Sequence, residues 1–215
     1  MKQQKRKKLN NKGFTLMEIL LVALIFPLLI LSVYAVLDMA QVIFRTDTVY
    51  SQLNQSSMQM MRYISREVSQ TSPLASPSHL SITADAGGNS VLTFQVPVDW
   101  DNDGDVVQNG STNVIEWGAY PEAGQTSNGV LNSWVRYQLT NGQLFRNVLD
   151  NTLNPVAGQS RMISDNVNAF QATQTSDRIQ LVLTVQRLES TGQGGVARPI
   201  TQVFTQEILM RNAVS

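Results

Sequence analysis

The chain of 215 residues has no cysteine and only one histidine, His79. The first absence excludes structural disulfides, thiolate metal centres and a cysteine nucleophile together. It assigns no compartment, because a domain of ordinary size can be stable without disulfides. The second excludes paired-histidine metal sites, and His79 lies in Pro77-Ser78-His79 with no acid or nucleophile beside it, so it is expected at the surface. No Walker-type phosphate loop or nucleophile elbow occurs, and Gly192-Gln193-Gly194-Gly195 lacks the strand-to-helix setting a nucleotide loop needs. Trp100, Trp117 and Trp134 read as core or rim residues rather than a sugar platform. Chemistry by carboxylates alone has no support in the pattern, and the chain is not expected to be an enzyme.

Charge is absent where it matters most. No charged residue occurs from Ile19 to Leu37, and no acid precedes Gly13. The formal net charge of zero conceals this asymmetry: six basic residues lie ahead of Gly13, and ten basic and sixteen acidic residues follow it. A basic flank before an apolar helix predicts a cytoplasmic N-terminus and a translocated C-terminal domain, so these cations do not indicate nucleic-acid binding. About 20 apolar residues span a bilayer. An ordinary secretory signal would be shorter and would end in a small-residue cleavage site, which Val33-Tyr34-Ala35-Val36-Leu37 does not provide. The reading is a leader over 1–13, a transmembrane helix over 14–37, an amphipathic stalk over 38–72 and a β-rich domain over 73–215. One acid, Glu18, stands at the edge of the apolar segment. At a membrane helix centre it would cost about 2.5–3.5 kcal/mol on insertion scales, which marks it as functional.

Gly13-Phe14-Thr15-Leu16-Met17-Glu18-Ile19-Leu20-Leu21-Val22 closely resembles the recognition site of prepilin peptidase. The resemblance implies cleavage after Gly13, N-methylation of Phe14 by the same enzyme, and assembly into a filament. Glu18 then has a mechanical rationale, because cleavage creates a cationic amine on Phe14 that the Glu18 of an adjacent subunit could neutralise. A paired charge in apolar surroundings is tolerable where an orphan is strongly destabilising. A plain signal anchor accounts for the span but not for the Gly-Phe junction or the acid four residues beyond Phe14.

Helical periodicity continues past the membrane. Met39, Val42, Ile43, Tyr50, Leu53, Met60, Met61, Ile64 and Val68 recur mostly at three- and four-residue intervals, with Gln41, Asp47, Gln52, Asn54, Gln55, Arg62, Arg66 and Glu67 between them. Pro27 predicts a kink or local melting. No glycine or proline occurs from Leu28 to Ser72, and Pro73 and Pro77 end the helix. A helix from Phe14 to Thr71 would reach about 85 Å at 1.5 Å per residue. Its outer apolar stripe needs a cover. The stripe is not a clean heptad with charged flanks, which favours a packed sheet over a parallel coiled coil.

After the linker over 72–79 the pattern changes to alternation between turns. Strands are expected at Leu80–Thr83, Ser90–Val98, Asn113–Gly118, Trp134–Thr140, Gln143–Val148, Val167–Gln174, Arg178–Gln186 and Pro199–Arg211. Asn141-Gly142 marks a hairpin because both residues accept positive φ, and 192–195 marks a second. A long N-terminal helix followed only by strands gives an α+β domain with an antiparallel sheet. The runs Trp134-Val135-Arg136-Tyr137-Gln138-Leu139, Leu144-Phe145-Arg146, Val167-Asn168-Ala169-Phe170 and Ile208-Leu209-Met210-Arg211-Asn212 look like J-type pseudopilins of type II secretion and W-type minor pilins. The implied protein is a pilin-like minor pseudopilin near the tip of a periplasmic filament. Its implied partners are prepilin peptidase, other minor and major pseudopilins or pilins, an inner-membrane assembly platform and membrane lipid. A minor pilin of a type IV pilus or competence system is the alternative. A calcium-dependent binding module or adhesin on a membrane stalk is the alternative of another class.

Asp99-Trp100-Asp101-Asn102-Asp103-Gly104-Asp105 matches the first half of an EF-hand-like loop. Calcium takes six to eight oxygens, which alternating carboxylates and backbone carbonyls supply. Asp99, Asp101, Asp103 and Asp105 are the candidate ligands for a structural calcium. The full pattern wants Glu at position 110, where Gly110 stands; Glu116 is a more distant candidate. The competing reading is a solvated acidic turn between strands.

Overall fold

The computed structural model describes residues 15–73, 78–108, 114–122, 128–189 and 198–211. The chain divides into two compact units, Met1–Asp47 and Thr48–Ser215. Helix α1 runs over Leu16–Val68 and passes through Pro27 without interruption. The local melting expected at Pro27 does not occur, since losing one N–H to the Ala23 carbonyl leaves the ladder intact on both sides. In the first unit the apolar side chains from Leu16 to Leu37 are exposed, and the helix is long and apolar enough to cross a membrane.

In the second unit α1 buries Val49, Leu53, Ser57, Met60, Met61, Ile64, Glu67 and Val68, a stripe recurring at three and four residues. Two details depart from the sequence reading. Tyr50 is 41% exposed and Val49 takes the buried position one residue earlier. Glu67, grouped with the polar flank, is only 7% exposed.

All the strand ladders are antiparallel. β1 (Leu80–Ala84), β2 (Ser90–Phe94), β6 (Trp134–Thr140), β7 (Gln143–Leu149) and β8 (Pro155–Ser164) form one sheet in the order β1-β2-β6-β7-β8. β9 (Val167–Thr175), β10 (Arg178–Glu189) and β11 (Arg198–Leu209) form a second, with β10 central. A small sheet of β3 (Val96–Pro97), β4 (Trp117–Ala119) and β5 (Val130–Leu131) is inserted between β2 and β6. The architecture is therefore α+β, a long N-terminal apolar helix followed by antiparallel sheets.

Alternation sets the inward faces. β6 buries Val135, Tyr137 and Leu139, β7 buries Leu144, Arg146 and Val148, and β10 buries Ile179, Leu181, Leu183 and Val185. All of these except Arg146 join the apolar residues of the α1 stripe in one core. The β6–β7 turn is the expected two-residue hairpin: Thr140 pairs with Gln143, and Asn141 and Gly142 take φ of 51° and 77°. β10 and β11 pair through Glu189 and Arg198, while the glycine-rich segment 192–195 lies outside the described residues. Two strands were not expected. β8 opens on Pro155, contains Gly158, is largely exposed and has two register irregularities against β7, all features of an edge strand. β5 has only two residues.

The core contains an ion-pair network. Arg146, 1% exposed, donates from Nη2 and Nε to the Glu67 carboxylate (2.9 and 3.1 Å), from Nη1 to Glu122 (2.7 Å) and from Nη2 to the Tyr120 carbonyl (3.1 Å). The Tyr137 hydroxyl donates to the other Glu67 oxygen, and Arg161 reaches Glu122 at 3.1 Å from outside. Two cations thus face two anions. Burial lowers the Arg146 pKa, but the Glu67 charge and hydrogen bond outweigh it and the net direction is up. Burial, then the Glu67 charge, raises the Tyr137 phenol well above its usual value.

Breaking a buried pair leaves an uncompensated charge. Arg146→Met is expected to cost about 3–5 kcal/mol in urea unfolding of the detergent-solubilised chain, and Glu67→Leu with Arg146→Met to recover most of that loss. The raised phenol means that above about pH 10 the unfolded state releases a proton that the folded state keeps. Its contribution is fully present below that pH and is lost as pH rises through the folded-state value. The unfolding midpoint should fall between pH 8 and pH 10.5 less steeply in Tyr137→Phe than in the parent chain.

Candidate functional site

The proposed cleavage residues Gly13 and Phe14 lie outside the described residues. Glu18 sits in the first turn of α1. Its Oε2 accepts the Thr15 backbone N–H at 2.8 Å and the Thr15 hydroxyl at 3.1 Å, while Thr15 Oγ1 accepts the Glu18 N–H at 3.3 Å. This reciprocal arrangement is a capping box, with threonine at the N-cap and glutamate three residues on, and it satisfies donors the helix start leaves without partners. It also keeps the carboxylate at the start of the helix beside the Thr15 N–H, where a negative charge complements the helix dipole.

The acidic residues occupy the excursion between β3 and β4. Gly118 and Gly129 clamp Val98, the residue before them: a Cβ on Gly129 would lie 2.3 Å from the Val98 Cβ, and one on Gly118 would lie 2.2 Å from the Val130 carbonyl oxygen. Asp99 follows, bridged to Asn128. Carboxylate oxygens of Asp99, Asp101 and Asp103 lie within 4.8 Å of one another. Asn102 and Gly104, with φ of 62° and 97°, turn the chain between them. Asp99 accepts the Gly104 N–H through Oδ2 (3.2 Å), and Asp103 accepts the Asp105 N–H (3.1 Å). Asp105 is outside the group of three and accepts the Val107 N–H at 2.7 Å.

Glu116 is held at the neck of this loop. Its carbonyl accepts the Val98 N–H and its own N–H donates to the Val106 carbonyl, both at 2.8 Å, so it is bonded to the chain on either side of the aspartates. Asp99 and Glu116 are 6% and 3% exposed. Burial and then the Asp99 charge raise the Tyr120 pKa, so the field of this carboxylate reaches the adjoining strand end. Gly110 lies outside the described residues.

His79 is not a surface residue. It is 7% exposed, its Nδ1 lies 2.9 Å from Gln95 Oε1, and its ring stacks on Trp117 at 4.1 Å. The amide of Gln95 continues to the Ser133 carbonyl at 3.2 Å. The neighbours Gln95 and Trp117 arrive from remote points of the sequence, which a local reading of the linker does not reach. Trp134 and Trp117 are half-buried and Trp100 is 48% exposed. The Glu67–Arg146 network was also missed. Its only sequence signal is a pair of polar residues, Tyr137 and Arg146, on the inward positions of the β6–β7 hairpin.

Comparisons with protein-family models, curated proteins and solved structures find no match for this chain.

Thr15→Ala should weaken the helix start by about 1 kcal/mol, whereas Thr15→Ser should preserve it. In micelles, amide exchange at Glu18 is expected to accelerate in the first variant alone. Equal exchange in both would exclude the capping box.

Proposed function

We propose that this chain is a pilin-like minor subunit of a membrane-anchored filament, with a minor pseudopilin of type II secretion as the preferred form. The observation that carries the reading is the junction Gly13-Phe14-Thr15-Leu16-Met17-Glu18 ahead of an exposed, uncharged helical segment. Prepilin peptidase cleaves after Gly13 and methylates Phe14. The apolar part of α1 anchors the chain in the inner membrane, with the domain on the periplasmic side, until it is drawn into the filament.

Glu18 works in two stages. In the free subunit its carboxylate takes the Thr15 donors at 2.8 and 3.1 Å. In the filament the amine of a neighbouring Phe14 replaces them, exchanging bonds from uncharged donors for an ion pair in which both partners are charged. Correct axial register is then the arrangement in which no Glu18 stays an orphan among apolar helices. The domain supplies lateral contacts to other minor subunits. A type IV pilus or competence minor pilin uses the same mechanism in another machine.

Gly13→Val should keep the leader attached, visible as slower electrophoretic mobility, and abolish function; unchanged mobility with intact function would overturn the proposal. Glu18→Leu should be cleaved yet fail to assemble, and assembly at the parental level would remove the register mechanism. Quantitative mass spectrometry of proteins outside a deletion strain separates the two machines. Loss of exoenzymes identifies secretion, and loss of a major pilin identifies a pilus.

A further inference from the structure

We propose that the free edge of β11, beside the last turns of α1, docks an extended acidic segment of a partner protein, which adds to the sheet as a further strand. The surface lies wholly within the second unit. It depends neither on processing at Gly13 nor on assembly through Glu18.

The backbone carries the first half of the argument. β11 is the outer strand of its sheet and pairs with β10 along its 12 residues without a register shift. Met210 donates to the Asp177 carbonyl at 2.9 Å, which extends that ladder by one pair. Alternation along an antiparallel pair then turns the N–H and C=O of Leu209, Glu207, Thr205 and Val203 away from β10. Arg211, the next residue of this set, donates to the Ser69 carbonyl at 2.9 Å, so the turn after α1 meets the edge at that point. Among the described residues, no strand or backbone hydrogen bond covers the edge from Val203 to Leu209.

Sheet edges are commonly defended by proline, lysine, bulges or short length, because unpaired ladder groups recruit other strands. β8 carries such defences in Pro155, Gly158 and two irregularities. At the opposite edge of the β11 sheet, the pairing of β9 with β10 shifts register between Thr184 and Val185. From Ile200 to Leu209, β11 has no proline, lysine, glycine or irregularity. Its single charged residue there, Glu207, is held by Arg178 at 3.0 Å. A long, regular edge of this kind suits strand addition, in which main-chain bonds give affinity and side chains give specificity.

Charge selects the occupant. A groove of about 570 Å³ is lined by 206–209 of β11 together with Arg62, Arg66 and Arg211. Arg62 and Arg66 stand four residues apart on α1 and share a face. All three arginines are exposed, and none forms an ion pair among the described residues. The nearby acid of α1, Glu67, is turned inward to Arg146. A strand laid on this edge carries alternate side chains towards the α1 arginines. The others lie beside the exposed Val203, Thr205 and Leu209. The complementary segment therefore alternates acidic residues with apolar or β-branched ones. A small anion would meet the arginines but leave the ladder groups of β11 unpaired.

The test uses the full-length chain in detergent and a fluorescein-labelled peptide of about six residues that alternates aspartate with valine. Anisotropy should show saturable binding at one peptide per chain, weakening as salt rises. Amide exchange at Val203, Thr205, Glu207 and Leu209 should slow on binding. Arg62→Gln with Arg66→Gln should weaken binding about 10-fold or more, and asparagine for aspartate in the peptide should do the same. Thr205→Pro removes an outward N–H without touching the β10 ladder and should also cost about 10-fold or more, whereas Thr205→Val should stay within about twofold. Near-UV circular dichroism establishes that each variant is folded, and every changed side chain is exposed. No binding by the parent chain, or displacement by inorganic phosphate as effective as by unlabelled peptide, would overturn the site. Full binding by folded Thr205→Pro with unprotected amides would overturn strand addition. Binding that appears only once 212–215 are removed would make that segment the occupant and overturn the partner.

Discussion

The contact between Glu67 and Arg146 is the constraint around which the domain is arranged. An arginine that is 1% exposed can be accommodated only where its donors are met, and the partners come from separate segments: Glu67 from α1, Glu122 and the Tyr120 carbonyl from the excursion after β4. Arg146 lies on β7 and Tyr137 on the paired strand β6, so the network fixes the helix against one defined position of the hairpin. Apolar packing alone tolerates sliding of a helix along a sheet at modest cost, whereas a one-residue slip here would strand a buried charge. Such a pair adds little net stability over an apolar core of equal volume. Its contribution is selectivity among alternative packings.

The same logic recurs at the two ends of the molecule's chemistry. Glu18 and the buried pair Asp99 and Glu116 are acids placed where an unmatched charge is unfavourable. Glu18 has a local solution in Thr15, which leaves it available for exchange with a stronger partner. Asp99 and Glu116 each keep one buried carboxylate oxygen with no hydrogen-bond partner among the described residues.

Much of the architecture could be read from the chain, and the reason is locality. Asn141-Gly142 between alternating runs determines turn, pairing and inward faces within a few residues, and β6–β7 follows directly. The helix was equally legible because charge is absent over 19–37 and glycine and proline are absent over 28–72. Glu67, His79 and β8 were not, since each depends on partners distant in sequence. Glu67 looks like one more polar residue until Arg146, 79 positions away, is brought against it. His79 is buried by Trp117 and Gln95. β8 has no alternation because it covers little, being the exposed edge of its sheet. The acidic loop was legible as a pattern of aspartates, whereas the burial of Glu116 depends on its backbone bonds to Val98 and Val106 across the loop.

The central claim is that the chain is processed into a filament subunit. The most direct measurement is the mass and N-terminal sequence of the protein recovered from membranes of the native host. A mature chain beginning at N-methylated Phe14 is predicted. A chain retaining its residues ahead of Gly13, or cut within 33–37 or elsewhere, would contradict it.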